Sequence, residues 1–176
     1  MKKITAPIDS ELISALRAGD EVLLSGEILT GRDAAHKRLV ELIESGEPLP
    51  LDISGKIIYY AGPCPAPPGK VIGSIGPTTS QRMDAYSPIL MREGLKIMIG
   101  KGFRGAEVIQ AIKDYKGLYL AAVGGAGALI SLCVKKSQVL AFEDLGTEAI
   151  YALTVDSFPL VVAIDSYGGN IYENLL

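Results

Sequence analysis

Apolar positions along this chain fall into short runs of two kinds, one extended and one of helical period, and the two kinds alternate. Val22 to Thr30 reads as a strand that includes Gly26, and from Asp33 to Glu44 the residues Ala35, Leu39, Leu42 and Ile43 share one helical face closed by Ser45-Gly46. Ile57 to Ala61 predicts a short apolar strand and Val71 to Ile75 another. Met83, Ser87, Leu90 and Met91 recur at helical spacing and predict a helix from about Thr79 to Glu93. Leu95 to Ile99 predicts a strand. Val108, Ile109 and Ile112 mark an amphipathic helix leading into a further strand at Leu118 to Val123. Near the start, Ser10 precedes Glu11-Leu12-Ile13 and is placed to cap one short helix.

Strands separated by helices in this rhythm predict an α/β domain with a substantially parallel sheet. The tail departs from it. Val139–Phe142, Ala149–Val155 and Leu160–Ile164 predict strands with little helix between them, so the sheet is expected to be mixed. No repeat, low-complexity tract or linker divides the chain, and residues 1–176 read as a single domain.

Composition narrows the function classes. A chain of 176 residues can bury a sizeable core, and its net charge of −3 offers no basic footprint, which excludes nucleic acid as the expected partner. Cys64 and Cys133 are far apart in sequence and in no CxxC arrangement. Two cysteines supply neither a zinc or iron–sulfur ligand set nor a disulfide framework. Reduced thiols and a polar, charged first twelve residues, unlike a secretory leader, set the expectation of a cytoplasmic protein.

Gly117 to Val134 is uncharged over eighteen residues and flanked by lysines, close to the length that spans a bilayer. Gly124, Gly125 and Gly127 interrupt it, so it reads as a buried strand, a glycine-rich turn and a buried helix rather than a membrane span. The same glycines lack dinucleotide-loop spacing, since position 130 is Ile, and no suitable acidic residue follows. Close packing of backbone is the better account.

The richest chemistry lies in Gly76-Pro77-Thr78-Thr79-Ser80-Gln81-Arg82-Met83-Asp84. Gly-Pro ends the apolar run before it, and the three hydroxyls are candidate caps for a helix start. Arg82 falls in the first helical turn, where the helix dipole disfavours a cation unless an anion sits in front of it. Strand, turn, hydroxyls and arginine together describe an anion site for a carboxylate or phosphate. Arg32, after Thr30-Gly31, occupies a similar strand-to-helix junction. Two such arginines either clamp the two ends of a dicarboxylate or form ordinary ion pairs, Arg32–Asp33 and Arg82–Asp84. Lys101, between two glycines at the carboxyl end of a predicted strand, is either a third ligand cation or a lysine in a surface turn. Cys64-Pro65-Ala66-Pro67-Pro68-Gly69 is a rigid turn expected to be exposed, with no chemistry assigned to its cysteine.

Gly-Pro-Thr-Thr-Ser-x-Arg-Met-Asp resembles the signature of the β subunit of class I, iron–sulfur-dependent fumarate hydratases and the related L(+)-tartrate dehydratases. Further matching segments are Leu24-Ser25-Gly26, Thr30-Gly31-Arg32-Asp33-Ala34-Ala35-His36, Tyr60-Ala61-Gly62-Pro63, Gly100-Lys101-Gly102 and Ala122-Val123-Gly124-Gly125-Ala126-Gly127-Ala128. The resemblance covers nearly the whole chain in the family's order.

It implies a swivelling β/β/α architecture. It also implies that Thr78 faces the reacting carbons as the base, with Thr79 in support, while Arg32, Arg82 and Lys101 bind substrate carboxylates. His36 stands behind them, since a lone histidine is more often a hydrogen-bonded structural residue than a catalyst, and Asp84 is expected to fix Arg82 or the helix start. Dehydration of malate to fumarate needs a Lewis acid for the departing hydroxide. The resemblance implies that a separate α subunit carries it as a [4Fe-4S] cluster, so that the active site forms in a hetero-oligomer and this chain is inactive alone. Tartrate as substrate, a non-catalytic anion-binding module and a purely structural assembly subunit remain as alternatives.

Overall fold

Five strands close into a ring in the computed structural model of the chain, which describes residues 1–123 and 125–173. The seven-stranded sheet runs β1 (Lys2–Thr5), β2 (Glu21–Thr30), β3 (Ile57–Tyr59), β4 (Ile97–Gly100), β5 (Leu118–Ala121), β7 (Ile150–Ile164) and β6 (Val134–Ala141), and β2 also pairs with β7. The β2-β3-β4-β5-β7 set is therefore a closed barrel, with β1 and β6 as short extensions. β1 to β5 are parallel, and β7 is antiparallel to β2, β5 and β6. This is the mixed α/β architecture that the sequence rhythm and its tail predict.

Alternation along each strand divides the core in two. Ile57, Tyr59, Ile97, Ile99, Leu118, Leu120 and Val162 join one buried cluster inside the barrel. Their neighbours Ile58, Met98, Tyr119 and Ala163 join a second cluster, against α2 (Asp33–Glu44), α3 (Ser87–Arg92) and α4 (Ala106–Tyr115). The inner cluster is extended by Ile13 of α1 (Ser10–Ala15) and Ile130 of α5 (Gly127–Cys133).

Several elements differ from expectation. Val71 to Ile75 is not a strand, because β3 pairs directly with β4 and leaves no slot between them. The segment packs elsewhere: Ile75 N–H donates to Gly127 O at 3.2 Å, and the Cys64–Ser74 loop is closed by its own backbone bonds. The predicted helix from Thr79 to Glu93 is two pieces, a 3₁₀ turn at Ser80–Met83 and then α3. Pro88 accounts for the break, since it has no N–H to donate and its ring would clash with the carbonyl four residues earlier in a continuous helix.

Asp9 rather than Ser10 caps α1, accepting from Leu12 N–H at 2.8 Å. β1 was not expected, and β6 begins at Val134, where the buried helix was expected still to run. α5 itself is short and leaves Leu129 and Leu132 exposed. The two predicted tail strands Ala149–Val155 and Leu160–Ile164 are one strand, β7, which passes through Ser157 in a left-handed conformation at a bulge and pairs with β2 on either side of it.

The Pro-rich turn from Cys64 to Gly69 is exposed as predicted. Among the described residues no helix is long and apolar enough to cross a membrane. Gly124 lies outside the described residues. The glycine run does pack backbone on backbone where it is described, for a Cβ on Gly127 would stand 2.9 Å from Gly76 N.

Candidate functional site

Because β2 to β5 are parallel, their carboxyl ends share one edge of the barrel, and the chemistry-bearing loops leave from that edge. Gly31 and Arg32 follow β2, Tyr60 and Ala61 follow β3, and Lys101 follows β4. The motif strand-end is absent, yet the motif is held here by backbone bonds. Thr78 N–H donates to Tyr60 O at 2.6 Å and Ser80 N–H to Lys101 O at 2.9 Å, while Thr79 pairs with Lys101 as an isolated parallel bridge. Thr78, Thr79 and Lys101 are thereby one block. Thr78 is half-buried, and Thr79 and Lys101 are exposed.

The fit beneath this block is tight. Ser80 Oγ is buried, lies 2.8 Å from the Tyr119 hydroxyl, and occupies the space that a side chain at Gly100 would take. A Cβ on Gly100 would overlap Ser80 Oγ and come within 2.9 Å of Tyr60 Cδ2. Gly100→Ala is expected to lower unfolding free energy by about 1–3 kcal/mol through overpacking. An unchanged urea midpoint would show that Ser80 is free to move.

Arg32 and Arg82 reach the same region by different routes. Arg32 precedes α2, and its Nε stands 4.0 Å from Glu148 Oε1, too long for a hydrogen bond, so the pair is electrostatic only. Arg82 lies in the 3₁₀ turn rather than in the first turn of an α-helix. Its Nε and Nη2 donate to the two oxygens of Asp33, at 3.1 and 2.8 Å. Neither ion pair suggested by sequence neighbours, Arg32–Asp33 or Arg82–Asp84, forms. Instead Asp33 ties the motif turn to the start of α2, next to Arg32.

Asp84 does not fix Arg82. It accepts from Arg104 Nε at 2.7 Å and from Gly105 N–H at 2.6 Å. Arg104, which sequence reasoning missed, has a fully buried side chain and also donates to Ser87 Oγ at 2.8 Å and the Tyr60 hydroxyl at 3.2 Å. Burial opposes its charge, but Tyr60 and Asp84 beside it outweigh that and hold its proton affinity above the ordinary value. Nothing in the local sequence marks this arginine, because its partner stands twenty positions earlier.

His36 is buried behind Arg32. Its Nδ1 is 2.8 Å from Arg32 O, and a carbonyl only accepts, so Nδ1 carries the hydrogen and Nε2 a lone pair. That Nε2 has no hydrogen-bond partner among the described residues. Burial, with Arg104 adding to it, brings the imidazole down to about 4 against the opposing pull of the Arg32 carbonyl and Asp33. The ring is neutral at pH 7 and meets Tyr60 edge-on at 5.2 Å. Among the described residues no three His, Cys, Asp or Glu side chains come together as metal ligands.

The barrel edge thus brings a hydroxyl block and several cationic side chains together in a mixed α/β domain. Comparison with known proteins places it further: the family described as Fumarase C-terminus matches residues 2–175, and the chain belongs to that family. It is 41% identical over 169 residues to "Putative L(+)-tartrate dehydratase subunit beta" of Methanocaldococcus jannaschii, covering 93% of this chain and 87% of that protein. It is 37% identical over 174 residues to fumarate hydratase 2 of Leishmania major, covering 97% of this chain and 31% of that one. A match of 37% over 178 residues to the anaerobic class I fumarate hydratase of Escherichia coli covers all of this chain and 32% of the other. The chain thus spans about a third of the fumarate hydratases it matches.

Proposed function

We propose that this chain is the β component of a hydro-lyase that interconverts (S)-malate and fumarate. The observation that carries the reading is the backbone-bonded block of Thr78, Thr79 and Lys101, flanked by Arg32 and Arg82 at one edge of a domain of the fumarase family.

In this reading the guanidinium of Arg82 takes one substrate carboxylate in the two-pronged manner in which it now holds Asp33. The Arg82–Asp33 pair is largely exposed, with side chains 52% and 32% accessible, so exchanging Asp33 for substrate costs little. Arg32 and Lys101 hold the other carboxylate. Thr79 adds a hydrogen bond. Thr78, once its hydroxyl proton has passed to solvent, is the alkoxide that Lys101 and Arg82 stabilise; it accepts the proton from the carbon beside the carboxylate and returns to the neutral hydroxyl. Neutral His36 acts through Arg32, holding its carbonyl, and takes no proton itself.

The residues of this chain do not fit a [4Fe-4S] cluster. Its cysteines number two, and no three candidate ligands gather among the described residues. We therefore assign the cluster, and the departure of the hydroxide, to a partner α subunit. An apolar rim beside the site supports such a partner. Val71, Leu129 and Leu132 are each at least half exposed, on two segments joined by the Ile75–Gly127 bond, and patches of this kind mark protein contacts.

A relative of comparable length, named for tartrate dehydratase, favours tartrate as a second reading of the same site. The deciding experiment is anaerobic assembly of this chain with a cluster-bearing α subunit, assayed on fumarate, malate and L(+)-tartrate. Turnover of fumarate only in the mixture supports the proposal, and turnover of tartrate alone moves the substrate. A complex that forms and turns over neither leaves a domain that binds anions or assembles subunits without catalysis.

A further inference from the structure

We propose that Arg104 is the positioning residue of this site, setting the places of Thr78, Arg82 and Lys101 without touching substrate; the inference rests on the reading of those three as the groups that face it. A guanidinium taken fully out of water is unfavourable unless its donors are used, and here they are used on three separate segments. Nε donates to Asp84, the residue that ends the 3₁₀ turn carrying Arg82. Nη2 faces Ser87 Oγ, which itself donates to Met83 O at 2.9 Å within that turn. Nη2 also faces the hydroxyl of Tyr60, whose carbonyl holds Thr78. Arg104 lies three residues after Lys101 on the same loop, and the next amide, Gly105 N–H, donates to the second Asp84 oxygen. The guanidinium carbon lies 5.2 Å from the Tyr60 ring centroid and 4.9 Å from that of Tyr119, whose hydroxyl contacts Ser80 Oγ.

One rigid fork thus connects the end of β3, the motif turn and the loop after β4. The last two of these carry Arg82 and Lys101, and the first holds Thr78 through the Tyr60 carbonyl. A lysine at the same position satisfies Asp84 but lacks the planar fork needed to reach Ser87 and Tyr60 together. The connection is long in sequence and short in space, as expected of a group that sets geometry rather than one that reacts.

The test uses the assembled enzyme with Arg104→Lys and with the double variant Arg104→Met/Asp84→Asn, which removes the ion pair without leaving either charge unpaired. Both are expected to lower kcat by about 10- to 100-fold, as misplacement of reacting groups by about 1 Å does, with KM changed far less. Hydrogen exchange at the Thr78 and Ser80 amides should quicken while the amides of β2 and β4 keep their protection. Unchanged kcat together with unchanged exchange at Thr78 and Ser80 overturns the inference. So does a uniform rise in exchange across the barrel with activity following the folded fraction. If the unsubstituted assembly turns over neither fumarate nor tartrate, the proposed function fails, and the exchange comparison alone still decides the role of Arg104.

Discussion

Thr78→Ala is expected to reduce kcat of the assembled enzyme by about 10²- to 10⁴-fold, the range contributed by a positioned proton-transfer group. KM should stay within a few-fold of its starting value, because the proposed carboxylate ligands Arg32, Arg82 and Lys101 are left in place. The backbone of Thr78 is fixed by its bond to Tyr60 O and does not depend on the side chain, so the loss reports chemistry rather than folding. Thr78→Ser keeps a hydroxyl on the same backbone and should retain more of the turnover than the alanine variant. Near-normal turnover by Thr78→Ala, in an enzyme shown to be assembled, removes Thr78 from the reaction.

The second large effect is on stability and comes from His36. Its folded-state value of about 4 lies below the ordinary 6.5, so between those pH values the unfolded chain binds a proton that the folded chain does not. Stability from this group is fully present above pH 6.5, falls as pH drops through the window, and levels off below about pH 4. The total change is on the order of 3 kcal/mol. Urea unfolding of wild type and His36→Leu, compared at pH 7 and pH 4.5, isolates it from the carboxylates that titrate nearby. The wild type should lose more stability than the variant over that interval. Equal losses would mean that the buried imidazole charges without penalty and that the new Nε2–H finds an acceptor when it does.

How much of this was legible depended on how local each cause is. α2 was read with its observed limits because a 3.6-residue period and a Ser-Gly closure lie within its own segment. The motif's place beside Lys101 was legible only as two loops each at a strand end, since the Thr79–Lys101 bridge spans residues distant in sequence. Val71–Ile75 has the composition of a strand, and what denies it that role is competition from β4 for the edge of β3. Pro88 is the local signal that divides the Thr79–Glu93 segment, since proline is accommodated in the first turn of a helix and not in its interior. β6 was read short because it has little apolar patterning, its residues from Lys135 to Leu140 lying largely in solvent. The Arg82–Asp33 and Arg104–Asp84 pairs join positions 49 and 20 residues apart, and each arginine had a nearer carboxylate to suggest. Charge pairing in this site follows the barrel's closure rather than the order of the chain.

That closure has a kinetic side. Glu21 pairs with Val161 and Leu29 with Ala152, so the ring is completed by joining the second strand to the last. Until then the edges of β2 and β5 that face β7 have no partner, and the five parallel strands β1 to β5 stand as an open sheet. A large loop must be closed before those contacts stabilise anything, and such topologies fold in milliseconds to seconds rather than microseconds. During synthesis, the segment Ile150–Ile164 must therefore emerge before the sheet can close, and with it the edge that carries Lys101 and the motif turn.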